Sequence, residues 1–360
     1  MRLPALIAAA IGVIALVVTL LLERGGMRVM PSYLAAWLFW VALPVGALPL
    51  VMGMELAGLA RSYVMPPLRR MLVLLPVAAV FAIPILLRVH SLYPWTQTPQ
   101  HGLAVRWFSP GFFIGRMIVF LLIWVVLALV FLRSPPAGKT TGRRGLAILG
   151  LLLHLFIGTL AATDWAMSID MGFGSSCFGL LLIIAQCGTA LSAAVLLAGG
   201  GRPIITSTGQ DEPGEAGEPS TLPQQFAVMM LAVLGAWFFL HFTQFLVVWS
   251  ADLPREVVWY QHRGAGLGAA AEWLGFIGFV LALFLLLPRR LAGQPRLVAA
   301  VAALLLLVHL VEMYWLITPA VRGRFTLTVS DGLTMLGVCG LSIATLLMRR
   351  PAVGGSHGYV

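Results

Sequence analysis

The sequence predicts an all-α membrane protein with ten transmembrane helices, and three observations carry that prediction. Of its 360 residues, 60% are hydrophobic and 10% are charged, and the mean hydropathy is +0.97. Soluble domains contain roughly 25% charged residues, so most of this chain faces lipid or its own interior. Ten segments are apolar over about 20 residues, the length that spans a bilayer core. The longest segments between them, 89–110 and 200–223, are too short for a soluble domain, so residues 1–360 form one integral membrane domain.

The ten predicted spans follow one another with short loops. They run near residues 5–23, 32–58, 68–90, 111–132, 144–166, 175–198, 224–250, 268–288, 295–317 and 329–348. The first apolar run is longer than a signal-peptide core of about 7–15 residues and has no small-x-small cleavage site after it, so we predict an uncleaved helix. Pro44, Pro76 and Pro84 are expected to interrupt the second and third spans.

The spans are expected to fall into two groups. We predict that helices 2–5 (32–166) and helices 6–9 (175–317) form two four-helix bundles, flanked by lipid-facing helices 1 and 10, which carry no ionisable residue in their apolar runs. Residues 199–223 are rich in Gly, Pro and acidic residues and contain little that could be buried. They are predicted to be a flexible cytoplasmic loop between the bundles.

The net charge of +10 is explained by membrane orientation and does not indicate nucleic acid. If the loops alternate, with the N-terminus on side A, then side A carries 14 Lys and Arg residues and side B carries 8, while Arg116 lies within the fourth span. Positive charge marks the cytoplasmic side. The sequence therefore predicts a multi-pass protein of the bacterial inner membrane with both termini in the cytoplasm and side B outside.

The three cysteines do not indicate a disulfide framework or a thiolate metal site. Cys177, Cys187 and Cys339 lie in or beside apolar spans, and no CxxC is present. We predict buried structural thiols. No catalytic motif and no His/Cys metal cluster is present either.

Polar residues at membrane depth are the candidate functional residues, because charges in the bilayer are costly and usually face an interior or a watered cavity. They are Glu55, His154, Asp164, His241, Gln244, His309 and Glu312. His241 and Gln244 share one helix face, and His309 and Glu312 share another.

Four interpretations of these residues remain open. The groups could pair with one another and set the helix register, or two histidines could ligate a b-type haem. They could form a proton relay, with Asp164, Glu312, His309 and His241 as an outer half-path, His154 at the midpoint and Glu55 at an inner mouth. They could line a quinone pocket. Glu55 has a simpler alternative, which is to extend toward Arg61.

Side B carries an uneven concentration of aromatic residues among Asp and Pro. An aromatic belt at the membrane interface explains many of them, and a surface for docking other subunits explains their one-sided distribution. The candidate docking residues are Tyr93, Trp95, Trp165, Trp249, Asp252, Trp259 and Tyr260.

Five collinear motifs carry a resemblance to a known family. They are PSYLAAWLFWVALPVGALPLVM (31–52), SLYPW (91–95), DWAMSI (164–169), TQFLVVWSADLPREVVWY (243–260) and YWLITP (314–319). Together they resemble the ActF-type, NrfD-like membrane subunit of bacterial alternative complex III. The chain departs from that family at 170–174, where a Pro-His-Trp segment is usual, and at Asp252 and Arg255, where Asn and Glu are frequent.

The resemblance implies a subunit of a respiratory quinol:cytochrome c oxidoreductase. Its partners would be a sister NrfD-like subunit that oxidises menaquinol or another quinol, an iron-sulfur subunit, c-type cytochromes and, in some cases, a terminal oxidase. The resemblance also implies the ten-helix, two-bundle fold, no cofactor in this chain, and a role as scaffold or proton path. The haems and iron-sulfur clusters would belong to the other subunits.

Two other functions are alternatives. One is a quinone-binding membrane subunit of a related polysulfide-reductase-type enzyme, which would make the chain part of an active site. The other is a stand-alone transporter, whose expected sign is a pair of broken helices around a midplane site. No breaks in the second half of the sequence match the prolines of the first.

Overall fold

The computed structural model describes residues 2–24, 29–60, 62, 64–133, 141–199 and 221–348. Within these ranges the chain is helical and has no β-strand. The helices are α1 (Arg2–Arg24), α2 (Met30–Leu56), α3 (Met65–Leu72), α4 (Leu75–Val80), α5 (Ile83–Leu87), α6 (Val89–Leu92), α7 (Ala104–Trp107), α8 (Pro110–Phe131), α9 (Thr141–Trp165), α10 (Phe178–Leu197), α11 (Leu222–Ala251), α12 (Pro254–Gln261), α13 (Leu267–Leu286), α14 (Arg289–Ala292), α15 (Pro295–Arg322) and α16 (Val329–Met348). Short 3-10 helices lie at Pro94–Thr96 and Met167–Ile169.

Ten spans in the described residues are long and apolar enough to cross a membrane, which confirms the predicted fold class. Nine of them are single helices: α1, α2, α8, α9, α10, α11, α13, α15 and α16. The remaining one, Met65–Leu87, is divided among α3, α4 and α5. The predicted loop at 89–110 contains α6, α7 and a 3-10 helix. Residues 200–220 of the predicted cytoplasmic loop lie outside the described residues.

Proline has different effects in the second and third spans. Pro76 and Pro84 each occupy the second residue of a new helix, α4 and α5, where a missing N–H leaves no broken bond. These two prolines interrupt the third span as predicted. The predicted interruption at Pro44 is wrong, because α2 continues through both Pro44 and Pro49. The ring fixes φ near the helical value, and helices packed around a buried span can compensate for the lost hydrogen bond.

α2 and α10 form the centre of the molecule. α2 is buried along nearly its whole length, and its most extensive contact is with α10. The two backbones meet closely at Gly46, where an added Cβ would overlap the carbonyl group of Gln186. Small residues permit this approach between membrane helices. α2 contacts α3, α8 and α9 on one side and α15 and α16 on the other, while α10 contacts α11 and α15. The division into two four-helix bundles remains a prediction.

The outer helices have the apolar surface expected of lipid-facing spans. α1 packs mainly on α16, and it exposes Leu6, Ile14 and Leu21 among others. α13 also exposes large apolar side chains, such as Phe284. All three cysteines are free thiols; Cys187 is buried as predicted, whereas Cys177 and Cys339 are half-buried.

Candidate functional site

The candidate site is a buried carboxylate held between two imidazoles, where α11 meets α15. Glu312 Oε2 accepts a hydrogen bond from His309 Nδ1 at 2.8 Å when the carboxylate is ionised. Glu312 Oε1 pairs with His241 Nε2 at 2.7 Å and accepts from Trp237 Nε1 at 2.8 Å. The side chains of Glu312 and His309 are 5% and 2% exposed, and that of His241 is 22% exposed. We refer to His241, His309, Glu312 and Trp237 as the Glu312 cluster.

Helical spacing and one glycine position the cluster. Trp237 and His241 are four residues apart on α11, and His309 and Glu312 are three apart on α15, so each pair shares a helix face. The third element is α10, whose Gly188 lies against the far side of the His309 ring. An added Cβ there would overlap His309 Nε2. The glycine therefore provides the space in which His309 reaches Glu312.

The cluster lies well inside the membrane-spanning region. Glu312 is ten residues from the end of α15 at Arg322, and His241 is ten residues from the end of α11 at Ala251. With a rise of about 1.5 Å per residue, both lie roughly 15 Å from the side B ends of their helices.

A cavity of about 240 Å³ adjoins the cluster between α11, α13 and α15. Its walls include the aromatic and ionisable side chains Trp237, Phe238, His241, Glu272, Glu312 and Trp315. Phe242, Phe245 and Phe276 also line it, and these are 53%, 48% and 46% exposed. Because they lie on helices that span the membrane, their exposed surface faces lipid. The cavity therefore opens sideways into the bilayer.

A second, much smaller cavity lies on the other side of His309. Its volume is about 10 Å³, and it is lined by His309, Gly188, Ser192 and apolar residues of α11 and α15. That is about the space one buried water needs. Leu305 and Ser192, which line it, lie toward the side A ends of α15 and α10. The Glu312 cluster thus lies between a small cavity toward side A and a large cavity that opens into the bilayer.

The predicted residue Asp164 is held in a different cluster. Arg116 donates from Nε to Asp164 Oδ2 at 2.8 Å and from Nη2 to Oδ1 at 3.0 Å. Trp107 Nε1 donates to the same carboxylate at 3.1 Å, and the Arg116 guanidinium lies 4.0 Å from the centre of the Trp107 ring. This group joins α8, α9 and the loop that contains α7.

Glu55 is also paired with arginine. Arg69 Nη2 donates to it at 2.9 Å, and Arg143 donates from Nε and Nη2 at 2.9 and 2.8 Å. The pairing joins the side A ends of α2, α3 and α9. The simpler alternative for Glu55, an extension toward Arg61, involves a residue outside the described ranges.

The two remaining predicted polar residues stand apart from the Glu312 cluster. His154 on α9 is 2% exposed, lies 5.9 Å from the Trp124 ring, and has no hydrogen-bond partner for either ring nitrogen among the described residues. Gln244 on α11 donates weakly to the Tyr260 hydroxyl at 3.5 Å. Burial raises the pKa of Tyr260 to about 12, so its hydroxyl stays protonated at physiological pH.

The structure divides the predicted docking residues by burial, and the docking of these loops remains a prediction. Tyr93, Trp95, Trp165 and Trp259 are buried within this chain, so a partner would have no access to them. Tyr93 donates to the carbonyl of Trp165 at 3.1 Å, and Trp95 stacks on Tyr93. Of the seven predicted docking residues, Trp249 and Asp252 are exposed and Tyr260 is half-buried.

A buried arginine holds one of these aromatic residues, Trp259, inside the protein. Arg263 is 0% exposed, and its guanidinium lies 3.8 Å from the centre of the Trp259 ring. It donates to the carbonyls of Trp259, Trp315 and Leu316 at 2.9, 3.1 and 2.8 Å. Burial lowers the pKa of Arg263 to about 9, and the nearby Asp170 opposes that shift, so the group remains charged at neutral pH. It fastens the loop after α12 to α15.

Sequence reasoning missed three contributors to the site: Trp237, Glu272 and Gly188. Trp237 could have been found as the residue one turn before His241. Glu272 could have been found as an acid in the first turns of the eighth span. Gly188 carries no signal without the neighbouring helix, because its role depends on the α10–α15 contact.

Within the described residues, no group of three or more His, Cys, Asp and Glu side chains is arranged to hold a metal ion. In comparisons with known proteins, no protein-family model matches this chain, and no curated protein matches it at a significant level.

Proposed function

We propose that this chain is a proton-transferring membrane subunit of a respiratory quinol:acceptor oxidoreductase of the alternative complex III type. The observation that carries the proposal is Glu312, buried between His309 and His241 beside a small cavity toward side A. The collinear motifs that resemble NrfD-like subunits supply the enzyme class and the expected partners.

The three buried acids differ in a way that selects this cluster for proton transfer. Asp164 and Glu55 are paired with arginine, which stays protonated in proteins and therefore cannot pass a proton on. Glu312 is paired with two imidazoles, and an imidazole ring can both accept and release a proton. The proposal therefore places proton transfer at the Glu312 cluster and gives Asp164 and Glu55 a structural role.

The distances support direct transfer within the cluster. Both imidazole–carboxylate separations, 2.7 and 2.8 Å, lie in the range of about 2.6–3.2 Å over which a positioned acid and base exchange a proton. A proton arriving at His309 through the small cavity can pass to Glu312 and then to His241. From His241 the proton would leave toward side B past Glu272, which shares the large cavity with His241 and lies nearer the side B end of α13.

The scaffold part of the proposal rests on side B. Four large apolar side chains are exposed in its loops and at its helix ends: Leu103, Trp249, Leu253 and Leu327. Exposed apolar residues outside the spans are a common feature of surfaces that bind other subunits. The periplasmic iron-sulfur and cytochrome subunits expected from the resemblance would be the partners.

The enzyme class is tested by a mild-detergent pull-down of the tagged chain, with a reduced-minus-oxidised spectrum of the eluate. We expect c-type haem absorbance and a large iron-sulfur subunit. A colourless protein that elutes alone from intact membranes contradicts membership in such a complex and favours a stand-alone transporter.

The proton role is tested in the assembled complex with Glu312→Gln and His309→Phe. We expect proton release per electron to fall while subunit composition is unchanged, because neither variant can pass a proton through the cluster. Glu256→Gln, an acid-to-amide change in α12 outside the cluster, is the matched control and should behave as the wild type. Unchanged proton stoichiometry in assembled Glu312→Gln would show that the path runs elsewhere.

A further inference from the structure

We propose that the large cavity between α11, α13 and α15 holds an acyl chain of a phospholipid whose headgroup carries a primary ammonium, as in phosphatidylethanolamine. Glu272 binds that ammonium at the side B surface of the membrane. The assignment goes beyond the proposed function and does not depend on it, because the lipid binds whether or not the Glu312 cluster transfers protons.

The Glu272 carboxylate lies where a lipid headgroup meets the protein. Glu272 is near the start of α13, and helical side chains lean toward the helix N-terminus, which is the side B end of α13. An added Cβ at Gly264, in the side B loop before α13, would lie 3.9 Å from Glu272 Oε1. The next residue, Trp273, is 61% exposed, and exposed Trp is frequent at the membrane interface. The carboxylate therefore reaches the headgroup region.

Glu272 has no Lys or Arg partner among the described residues. It is exposed, and it interacts electrostatically with His241 across the cavity. No described residue gives it a hydrogen bond or an ion pair. Arg263, which neighbours Gly264 in the chain, is buried and donates to three backbone carbonyls. A carboxylate at the membrane surface without an arginine or lysine partner favours a cationic group from outside the chain.

A primary ammonium suits this carboxylate better than the other common headgroups. Its N–H groups donate charge-assisted hydrogen bonds, which are stronger than neutral ones. A quaternary ammonium has no N–H to donate, and a glycerol headgroup has no positive charge. The first turn of α13 contains no acidic residue and no side-chain cap, so the positive end of the helix dipole faces the lipid phosphate without a competing charge.

The cavity has the position and size for the hydrocarbon chain of the same lipid. Its mouth is formed by Phe242, Phe245 and Phe276, which are about half exposed on membrane-spanning helices. An apolar cavity of about 150 Å³ is large enough for benzene, so this one, of about 240 Å³, can hold a length of acyl chain. A helix of a partner subunit is about 10 Å across and could not enter.

The headgroup, and not the tail, decides which lipid is preferred. Lipid tails are as apolar as the side chains that line the cavity, so an acyl chain gains little by leaving the bilayer for the protein. Lipids with the same tails should therefore be distinguished by their contact with Glu272. Ion pairs that remain partly exposed to water are weak, so the expected preference is modest.

The test is native mass spectrometry of the full chain in mild detergent with equimolar dioleoyl phosphatidylethanolamine, phosphatidylcholine and phosphatidylglycerol. The three lipids share their acyl chains, so differences in adduct abundance report the headgroup. We expect about fivefold more phosphatidylethanolamine than phosphatidylcholine adduct, equivalent to about 1 kcal/mol. Glu272→Gln should abolish the preference. Glu256→Gln, at an acid of α12 that does not line the cavity, is the matched control and should retain it.

A second pair of variants tests the position of the tail. Ala271 lines the cavity, and Ala271→Phe fills it without removing a polar group. We expect the phosphatidylethanolamine adduct of Ala271→Phe to fall several-fold. Leu281→Phe, at an exposed α13 position that does not line the cavity, should leave the adduct unchanged.

Four outcomes overturn the proposal. Equal adducts of all three lipids would leave Glu272 to a cationic side chain of another subunit, and phosphatidylglycerol as the main adduct would indicate an anionic-lipid site. A preference that survives Glu272→Gln would place the headgroup elsewhere, and an adduct unaffected by Ala271→Phe would place the tail outside the cavity. Because the assay involves no electron or proton transfer, its result is independent of whether the proposed function holds.

Discussion

At the scale of single residues, the partners of a buried acid indicate whether the acid holds helices together or can exchange a proton. Asp164, Glu55 and Glu312 looked equivalent as polar residues in apolar spans. In the structure, Arg116 binds Asp164 through two parallel hydrogen bonds, a geometry that gives strength and a fixed orientation. Glu312 has no arginine partner among the described residues and is held by imidazoles and an indole. The Asp164–Arg116 pair suits a structural contact between helices, and the Glu312 cluster suits proton exchange.

An ion pair that holds helices together, such as Asp164–Arg116, should be destabilised when one of its charges is removed. Asp164→Asn leaves Arg116 buried and unpaired, and breaking one side of a buried pair costs about 3–5 kcal/mol. We expect the free energy of unfolding in mixed micelles to fall by that amount. Asp252→Asn is the matched control. Asp252 is exposed, and its backbone lies in the left-handed region with φ of 48°, a conformation that Asn also tolerates. Its effect should be within about 0.5 kcal/mol. Equal stability of the two variants would contradict a stabilising role for the Asp164–Arg116 pair.

The position of His309 can be tested without removing an ionisable group. A methyl group at Gly188 would overlap His309 Nε2, so Gly188→Ala should push the ring away from Glu312. We expect a loss of about 1–3 kcal/mol in unfolding free energy, typical of overpacking, and proton release as low as in His309→Phe. Gly235→Ala on α11 meets no neighbouring atom and should be neutral or slightly stabilising, since Ala favours helix over Gly by about 1 kcal/mol. Wild-type proton release by Gly188→Ala would separate the glycine from the relay.

At the scale of helices, the sequence predicts features that depend on neighbouring residues. It does not predict features that depend on contacts between residues distant in the chain. Helix existence and position depend on runs of apolar residues, so the ten spans were correctly located. The burial of side B aromatics was not predicted, because the contacts that hold them inside, Trp95 with Ser168 and Tyr93 with Trp165, join residues distant in sequence. Aromatic residues next to a membrane surface look the same whether they face a partner or fold back. Likewise, the i, i+3 spacing of His309 and Glu312 was visible, but His241 as their neighbour needed the α11–α15 contact.

The central packing of α2 against α10 gives a prediction at this scale. At Gly46 an added Cβ would meet the Gln186 backbone, which cannot move aside as a side chain can. Gly46→Ala should therefore separate the two helices and lower the free energy of unfolding by about 3 kcal/mol or more, the upper end of overpacking costs. Gly53→Ala, two turns further along the same helix, meets no atom and should be neutral. If the two variants unfold alike in mixed micelles, the close α2–α10 approach is not required.

At the scale of the whole molecule, the structure gives the relative positions of the loops and cavities. The orientation of the chain in the membrane decides which side each of them faces. The loops that meet around Asp164 and Arg263 lie on one side, and the Glu312 cluster lies nearer that side than the other. The excess of Lys and Arg in the opposite loops predicts that this side, side B, faces outward. With that orientation the large cavity opens into the outer leaflet, and the small cavity lies toward the cytoplasm.

Thiol labelling in intact spheroplasts tests the orientation. Leu103 is 90% exposed in a side B loop, and Gln294 is exposed between α14 and α15 on side A. In a Cys177→Ser background, a membrane-impermeant maleimide should label Leu103→Cys directly and Gln294→Cys only after permeabilisation. Both changes preserve the charge that sets orientation. The reverse pattern would put side B in the cytoplasm, where the exposed side B loops could not bind periplasmic subunits.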